Sequence, residues 1–308
     1  MSRILIGSPI RLKNTILQEF LQGLDEVDKS DHKVEFYFVD DNVDKKSTEL
    51  LQEFAKRNKS ILRAGAELFQ TDDQYANHGW KPETLAKVTC YKNTIIQYCI
   101  DEEYDYLLLI DSDIILDKRA LLQLISDDVD IVSNVFWNQW KKNGRLTPQC
   151  FWIPDIYLQE SAWNTPRSFE ESHKIRMETY EKMKIPGLYR VDGTGACTLI
   201  KRRALVAGVN FTEIPNLKIL GEDRPFCIRA GVLGFDLYMD THYPAYHCSR
   251  EIFLDRVEEF KRDGWKFDMC CTYEEKPKKK FNTIRKAILA VGKFIDRVGK
   301  KIIRDFSD

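Results

Sequence analysis

Asp111 and Asp113 follow directly on the apolar run Tyr106-Leu107-Leu108-Leu109-Ile110. Carboxylates at i and i+2 beyond a buried strand form a compact oxygen site. Hard divalent cations such as Mg2+ and Mn2+ favour such a site and complete it with phosphate oxygens. Helix capping is the plainer alternative, but it accounts for one aspartate and not for two. Asp40-Asp41 closes the run Val34 to Val39, and Glu222-Asp223 follows Gly221 and opens a helical pattern. Acids at a helix start are also ordinary dipole chemistry, so by itself Glu222-Asp223 reads equally well as structural. His242 and His247, in the segment Asp240 to His247, offer imidazole ligands, although a lone histidine more often packs than ligates.

The elements that must position these residues follow from periodicity. Arg3 to Ile6 reads as a strand broken by Gly7-Ser8-Pro9; Ile16, Phe20, Leu21 and Leu24 lie at helical spacing. Lys33 to Val39 alternates as a second strand, and Leu50, Leu51 and Phe54 belong to the next helix. This rhythm predicts an open α/β sheet, in which ligands bind beyond the carboxyl ends of the strands. Further helices are expected at 82–100, 118–125, 169–183, 222–230 and 252–261, and strands at 106–110, 130–136, 189–200 and 235–239. The stretch 137–187 loses the pattern while holding four of the six tryptophans, and reads as an insertion. Those tryptophans suit either a core or the packing of sugar faces on aromatic rings.

Composition bounds the function classes. The chain has 308 residues, 43% hydrophobic and 12% aromatic, which is enough for a sizeable core and excludes disorder. A net charge of −1 argues against a nucleic-acid binder. The charge is uneven, because residues 276–308 hold 11 Lys and Arg against 3 Asp and Glu, a net of +8 that leaves −9 elsewhere. In that tail Phe281, Ile284, Ile288, Val291, Ile295, Val298 and Ile302 step by three and four. The spacing predicts a basic amphipathic helix that lies on an anionic membrane surface, docks on the acidic body, or forms a homodimer. No apolar run approaches the roughly 18–20 residues of a membrane span. The start enters a strand at once, without the pattern of a secretory signal, and the eight cysteines form no CxxC pair. The expectation is a reduced, cytoplasmic protein, peripheral on the inner face of the membrane where the tail takes the membrane-surface reading rather than docking or dimerisation.

Together the segments ILIGSP, FYFVDDN, LLLIDSDI, GTGACTLIKRRAL and GEDRPFCIRAGVLGFDLYMD carry a family resemblance. In order and spacing they resemble the nucleotide-sugar glycosyltransferases of the GT-A fold, nearest the large family 2 type, over roughly residues 1–250. The resemblance implies an open mixed sheet flanked by helices over 1–265, with 137–187 on the acceptor side and 276–308 as an amphipathic helical tail. It implies that Ser8 and Pro9 line the nucleotide and that Asp40 contacts its base or ribose. Lys87, with Lys92-Asn93 a helical step on, is placed among nucleotide or phosphate contacts. Asp111 touches ribose or metal, and Asp113 ligates Mn2+ or Mg2+. His247 adds a further metal ligand, with His242 as its competitor. Asp223, paired with Glu222, is the catalytic base, and Gly193 and Gly195 bring backbone close to the donor sugar. The donor is a nucleotide sugar, UDP-linked in preference to GDP-linked, and the acceptor a glycan, lipid or protein hydroxyl. A separate base without an enzyme nucleophile implies inversion. Absence of a Gln-x-x-Arg-Trp motif speaks against processive synthesis.

Other readings compete. A haloacid dehalogenase-type phosphatase also uses Asp-x-Asp, but with Thr or Val where Ile115 stands. A nucleotidyltransferase shares the metal logic but opens on a Gly-rich loop, whereas residues 7–13 hold one glycine. A non-catalytic, membrane-associated nucleotide-sugar-binding module is the third.

Overall fold

The computed structural model describes residues 1–69, 81–138, 146–149, 151–152, 168–217 and 221–266. The elements in chain order are β1 (Arg3–Ile10), α1 (Asn14–Glu26), β2 (Lys33–Asp40), α2 (Lys45–Arg57), β3 (Ser60–Ala64), α3 (Gly65–Leu68), α4 (Pro82–Asp101), β4 (Tyr106–Ile110), β5 (Ile114–Ile115), α5 (Ala120–Ser126) and β6 (Ile131–Asn138). There follow β7 (Thr147–Gln149), β8 (Phe151–Trp152), α6 (Phe169–Lys182), β9 (Leu188–Val191), β10 (Gly193–Thr194), β11 (Cys197–Lys201), α7 (Arg202–Val206), α8 (Asp223–Val232), β12 (Leu237–His247), a 3-10 turn (Glu251–Arg256) and α9 (Val257–Asp263).

The main sheet runs β3-β2-β1-β4-β11-β6-β12-β5. β3, β2, β1 and β4 are mutually parallel; β11 is antiparallel to β4 and to β6, and β12 is parallel to β6. The carboxyl ends of β1, β2, β4, β6 and β12 therefore share one edge. This is the mixed, open, helix-flanked sheet expected of the GT-A fold. Strand alternation sorts the core in two. Ile4, Ile6, Phe36, Phe38, Leu108 and Ile110 face α1, α2 and α5, while Leu5, Tyr37, Val39, Leu107 and Leu109 face α4, α7 and α8. Side-chain period two on a sheet covered on both faces dictates that division.

Several elements depart from the expectation. β1 does not break at Gly7-Ser8-Pro9 but pairs with β2 as far as Ile10. β4 pairs only as far as Gly7, so Pro9 lies where β1 has one neighbour and its missing N–H is tolerated. A Cβ at Gly7 would come within 2.3 Å of Ile95, so glycine there lets α4 approach β1. The expected single strand at 189–200 is three short strands, interrupted at Asp192 and at Gly195-Ala196. β3, at the sheet edge and largely open to solvent, has no clear alternation and was not foreseen. β12 extends to His247, with a register shift between Asp240 and Ala245 that accommodates Pro244. Among the described residues, no helix is long and apolar enough to cross a membrane. The expected tail helix at 276–308, and 139–145, 150 and 153–167 of the expected insertion, lie outside the described residues.

Candidate active site

The first cluster forms where β4 gives way to β5. Ile114 N donates to Asp111 O, and Cys248 N donates to Asp113 O. The antiparallel β5–β12 ladder sets His247 opposite Ile114, which brings His247 Nε2 to 3.1 Å from Asp113 Oδ2. His247 Nδ1 lies 2.5 Å from Asn138 Oδ1, at the end of β6. An amide oxygen only accepts, so Nδ1 turns its N–H to Asn138 and Nε2 is the ring atom that faces the Asp113 carboxylate. A carboxylate and an imidazole oriented by a hydrogen bond on its other nitrogen form a donor set that fits Mn2+. Asn138 was not singled out in the sequence, and its position at a strand's carboxyl end was the available signal.

The second cluster surrounds Lys92. Its Nζ, buried on α4, lies 2.9 Å from Glu222 Oε1, 3.3 Å from Asp223 Oδ1 and 3.7 Å from Asp111 Oδ1. The Phe211 ring, 5.0 Å away, adds a cation–π contact and stacks on Phe226. Burial by itself lowers the pKa of an ammonium. Here Asp111, Asp223 and Glu222 outweigh it and hold Lys92 well above its ordinary value. Burial pushes Asp111 up to about 7, against Lys92 and with Asp223, Asp113 and Glu222 adding to it. Burial likewise raises Asp223 to about 6, whereas in Glu222 the attraction and hydrogen bond of Lys92 overcome burial and lower the pKa. The two acids of the pair are thereby distinguished. The Glu222 side chain is 5% exposed, and that of Asp223 is 30% exposed.

A narrow crevice of about 10 Å³ opens here, lined by Asp111, Thr194, Gly195, Ala196 and Asp223 among others. One wall is a tight turn in which Cys197 N donates to Gly195 O at 2.6 Å and Ala196 has φ +53°. Such a left-handed three-residue turn on a non-glycine residue is strained, and Asp111 N is bound to its Ala196 carbonyl at 2.6 Å. A Cβ at Gly195 would come within 2.5 Å of Asp223 Oδ2, so this glycine makes room for the Asp223 carboxylate. Gly193 is buried in the short β10–β8 ladder opposite Trp152.

The other candidates lie along the β1–β2 end of the edge. Ser8 is fully buried, with Oγ donating to Pro9 O, while Pro9 is partly exposed. Asp40 follows Phe36 and Phe38 in strand parity and accepts from Asn42 N and Nδ2, closing the turn after β2. Asp41, on the opposite parity, is the acid that faces α4. It binds Lys87 Nζ at 2.7 Å and Arg11 at 3.0 Å, and accepts from Tyr91 O–H at 3.2 Å. Lys87 is thus buried against Asp41, which the sequence marks together with Asp40 at the end of the strand but to which it gives no separate role.

His242 lies apart, with Nδ1 2.5 Å from Asp240 Oδ2. Asp127, Asp240 and His242 form the one triad of Asp, Glu, His and Cys among the described residues with ligand atoms all within 4.8 Å of one another. Asp111, Asp113 and His247 do not close to that spacing.

Residues 1–143 match the family model described as glycosyltransferase family 25, N-terminal domain. The resemblance read from the sequence lies nearest the family 2 type. The matched segment contains Asp111-Ser112-Asp113 and stops before Glu222, Asp223 and His247. A curated relative is the mannan polymerase complex subunit mnn9 of Schizosaccharomyces pombe, 26% identical over 180 residues, or 54% of this chain and 52% of that protein. The chain thus spans about half the length of the curated relative it matches. Among solved structures, S. aureus TarS 1–349 in complex with UDP-GlcNAc covers 87% of this chain and 69% of its own, at 16% identity and TM-score 0.46. The mannosyltransferase PcManGT of Pyrobaculum calidifontis in complex with GDP-Man and Mn2+ covers 86% and 65%, at 12% identity and TM-score 0.45. Residues 1–143 of this chain are thus similar to a glycosyltransferase domain.

Proposed function

We propose that the chain is a metal-dependent, inverting, non-processive glycosyltransferase that moves a sugar from a nucleoside-diphosphate sugar to an acceptor hydroxyl. One observation carries the reading: acids from the end of β4 and the start of α8 converge on one pocket, with Lys92 within 3.7 Å of Asp111, Glu222 and Asp223. Asp113 and His247, with Asp111 beside them, would hold Mn2+ or Mg2+. When bound, such a cation supplies Lewis-acid neutralisation of the departing diphosphate. Asp223, partly open to the pocket and with a pKa near 6, takes the acceptor hydroxyl proton as that oxygen attacks the anomeric carbon. The anomeric C–O bond to diphosphate breaks in the same displacement, which inverts the centre. Gly195 leaves the space in which the carboxylate sits, and the turn at Ala196 fixes Asp111 opposite.

The test is a panel of UDP- and GDP-sugars assayed for diphosphate release with Mn2+, with Mg2+ and in EDTA, with a uridine donor expected. Pyrophosphate as product would favour a nucleotidyltransferase. Absence of turnover together with a thermal shift from nucleotide sugar would favour a binding module. Anomeric configuration of the product, read by NMR, tests inversion. The charge and apolar stripe of 276–308 support a proposal of cytoplasmic, peripheral attachment to anionic membrane. Co-sedimentation with anionic vesicles at low salt tests it, comparing the chain with a version ending near Glu275. If both stay in the supernatant, the attachment is refuted.

A further inference from the structure

We propose that Lys92 is a positioning residue for the base. It binds one oxygen of Asp223 and anchors the start of α8 through Glu222, so that the second Asp223 oxygen is presented to the acceptor. The inference rests on the reading of Asp223 as general base and assigns Lys92 away from the phosphate-contact role that the sequence resemblance implies.

Three observations carry it. First, Nζ is at hydrogen-bond distance from Asp223 Oδ1 and Glu222 Oε1, with a side chain 3% exposed. An ammonium has three donors and no acceptor, and this one sits among three carboxylates at the base of the pocket. Second, α8 begins at Asp223 without a side-chain cap, because its N-cap residue Glu222 makes no capping hydrogen bond. The preceding Gly221 has φ +93° with open space around it. Local sequence therefore leaves the start of this helix under-determined, and the Lys92–Glu222 pair, 130 positions apart in the chain, supplies a fixed point. Third, Asp223 Oδ2 lies against Gly195, where no side chain intrudes. With Oδ1 on Lys92, Oδ2 is the oxygen left to receive the proton. The acceptor O–H proton passes to Oδ2, the acceptor oxygen bonds to the anomeric carbon, and the diphosphate leaves with the electron pair of the broken C–O bond.

A double-mutant cycle on the full chain tests this, using Lys92→Gln, Asp223→Asn and the combination, with the nucleotide sugar that the donor panel selects. The expected result for Lys92→Gln is a kcat about 10- to 100-fold lower, with donor KM and the binding of UDP or GDP with Mn2+ within about twofold of wild type. In the Asp223→Asn background the same change should cost less than about threefold, because residues acting as one unit are non-additive. Losses that multiply, or a donor KM that rises in step with the fall in rate, overturn the proposal while leaving Asp223 as base. Full turnover by Asp223→Asn alone overturns the base reading and the proposal with it. If Lys92→Gln does not fold, the same cycle is run with Lys92→Arg, which keeps the charge but moves its donors.

Discussion

Helix α4 buries two lysines at the carboxyl edge of the sheet, and they keep different company. Lys87 meets one carboxylate, Asp41, which it shares with Arg11. Lys92 meets three, from Asp111, Glu222 and Asp223. The first centre has cations to spare and ties β1, β2 and α4 together. The second has a surplus of negative charge around one buried ammonium, and two of its acids are held above the ordinary carboxylate range. Surplus charge of one sign at a pocket costs folding free energy and is a mark of function rather than of stability. Two side chains of one type on one helix thus differ in role through the count of their partners.

The largest expected effects come from removing acids at the second centre. Asp223→Asn keeps the shape but cannot accept a proton, and should slow donor turnover by about 10²–10⁴-fold. Asp113→Ala should reduce diphosphate release to the level left by EDTA. In the wild type, turnover should fall about tenfold per pH unit below about 6, as Asp223 takes up its proton. An acid-side limb unchanged by Asp223→Asn would break the assignment.

Stability sharpens the comparison, because its sign reverses between the centres. A carboxylate whose folded pKa lies above its unfolded value favours the fold while protonated, below about pH 4, and loses that contribution as pH rises through about 6. Asp223→Asn should therefore stabilise the metal-free protein at pH 7.5 by about 1 kcal/mol, discounted for partial exposure and the coupling to Lys92. Asp41→Asn strips Lys87 and Arg11 of their anion and should cost about 1–3 kcal/mol. Denaturant titration of the two variants reads both signs. If they move in the same direction, the contrast fails.

Space around the base gives a third contrast. Gly195→Ala drives a methyl group into Asp223, and should lower kcat by about tenfold and stability by about 1–3 kcal/mol. Gly231→Ala, within α8 and with nothing inside 4 Å, should stabilise by about 0.5–1 kcal/mol. An effect on stability alone is expected at Asp127, which burial and then Asp240 raise to about 6, and whose Oδ2 is buried without a hydrogen-bond partner. Asp127→Asn should gain about 1 kcal/mol at pH 7.5, lose that gain near pH 4, and leave donor hydrolysis at the wild-type rate. Thermal melts across pH check the window.

What the sequence by itself determined is local. Apolar alternation and helical spacing marked α1, α4, β4 and β6 within a few residues, because each buries a face whose period is written in the chain. The Asp111-Ser112-Asp113 motif was legible for the same reason, standing at the end of an unbroken apolar strand. The tertiary structure decided which acid faces what. Strand parity separates Asp40 from Asp41 in the sequence, yet only the packing of α4 on the Tyr37 and Val39 face makes Asp41 the acid that meets Lys87. His247 rather than His242 reaches Asp113 because β12 passes the sheet beyond Pro244 and pairs with the two residues of β5. Lys92, read from sequence as a loose phosphate contact, acquires its three carboxylates from β4 and from the start of α8, up to 131 positions along the chain. Such contacts are set by long-range packing of a sheet on its helices, and no local pattern of residue types encodes them.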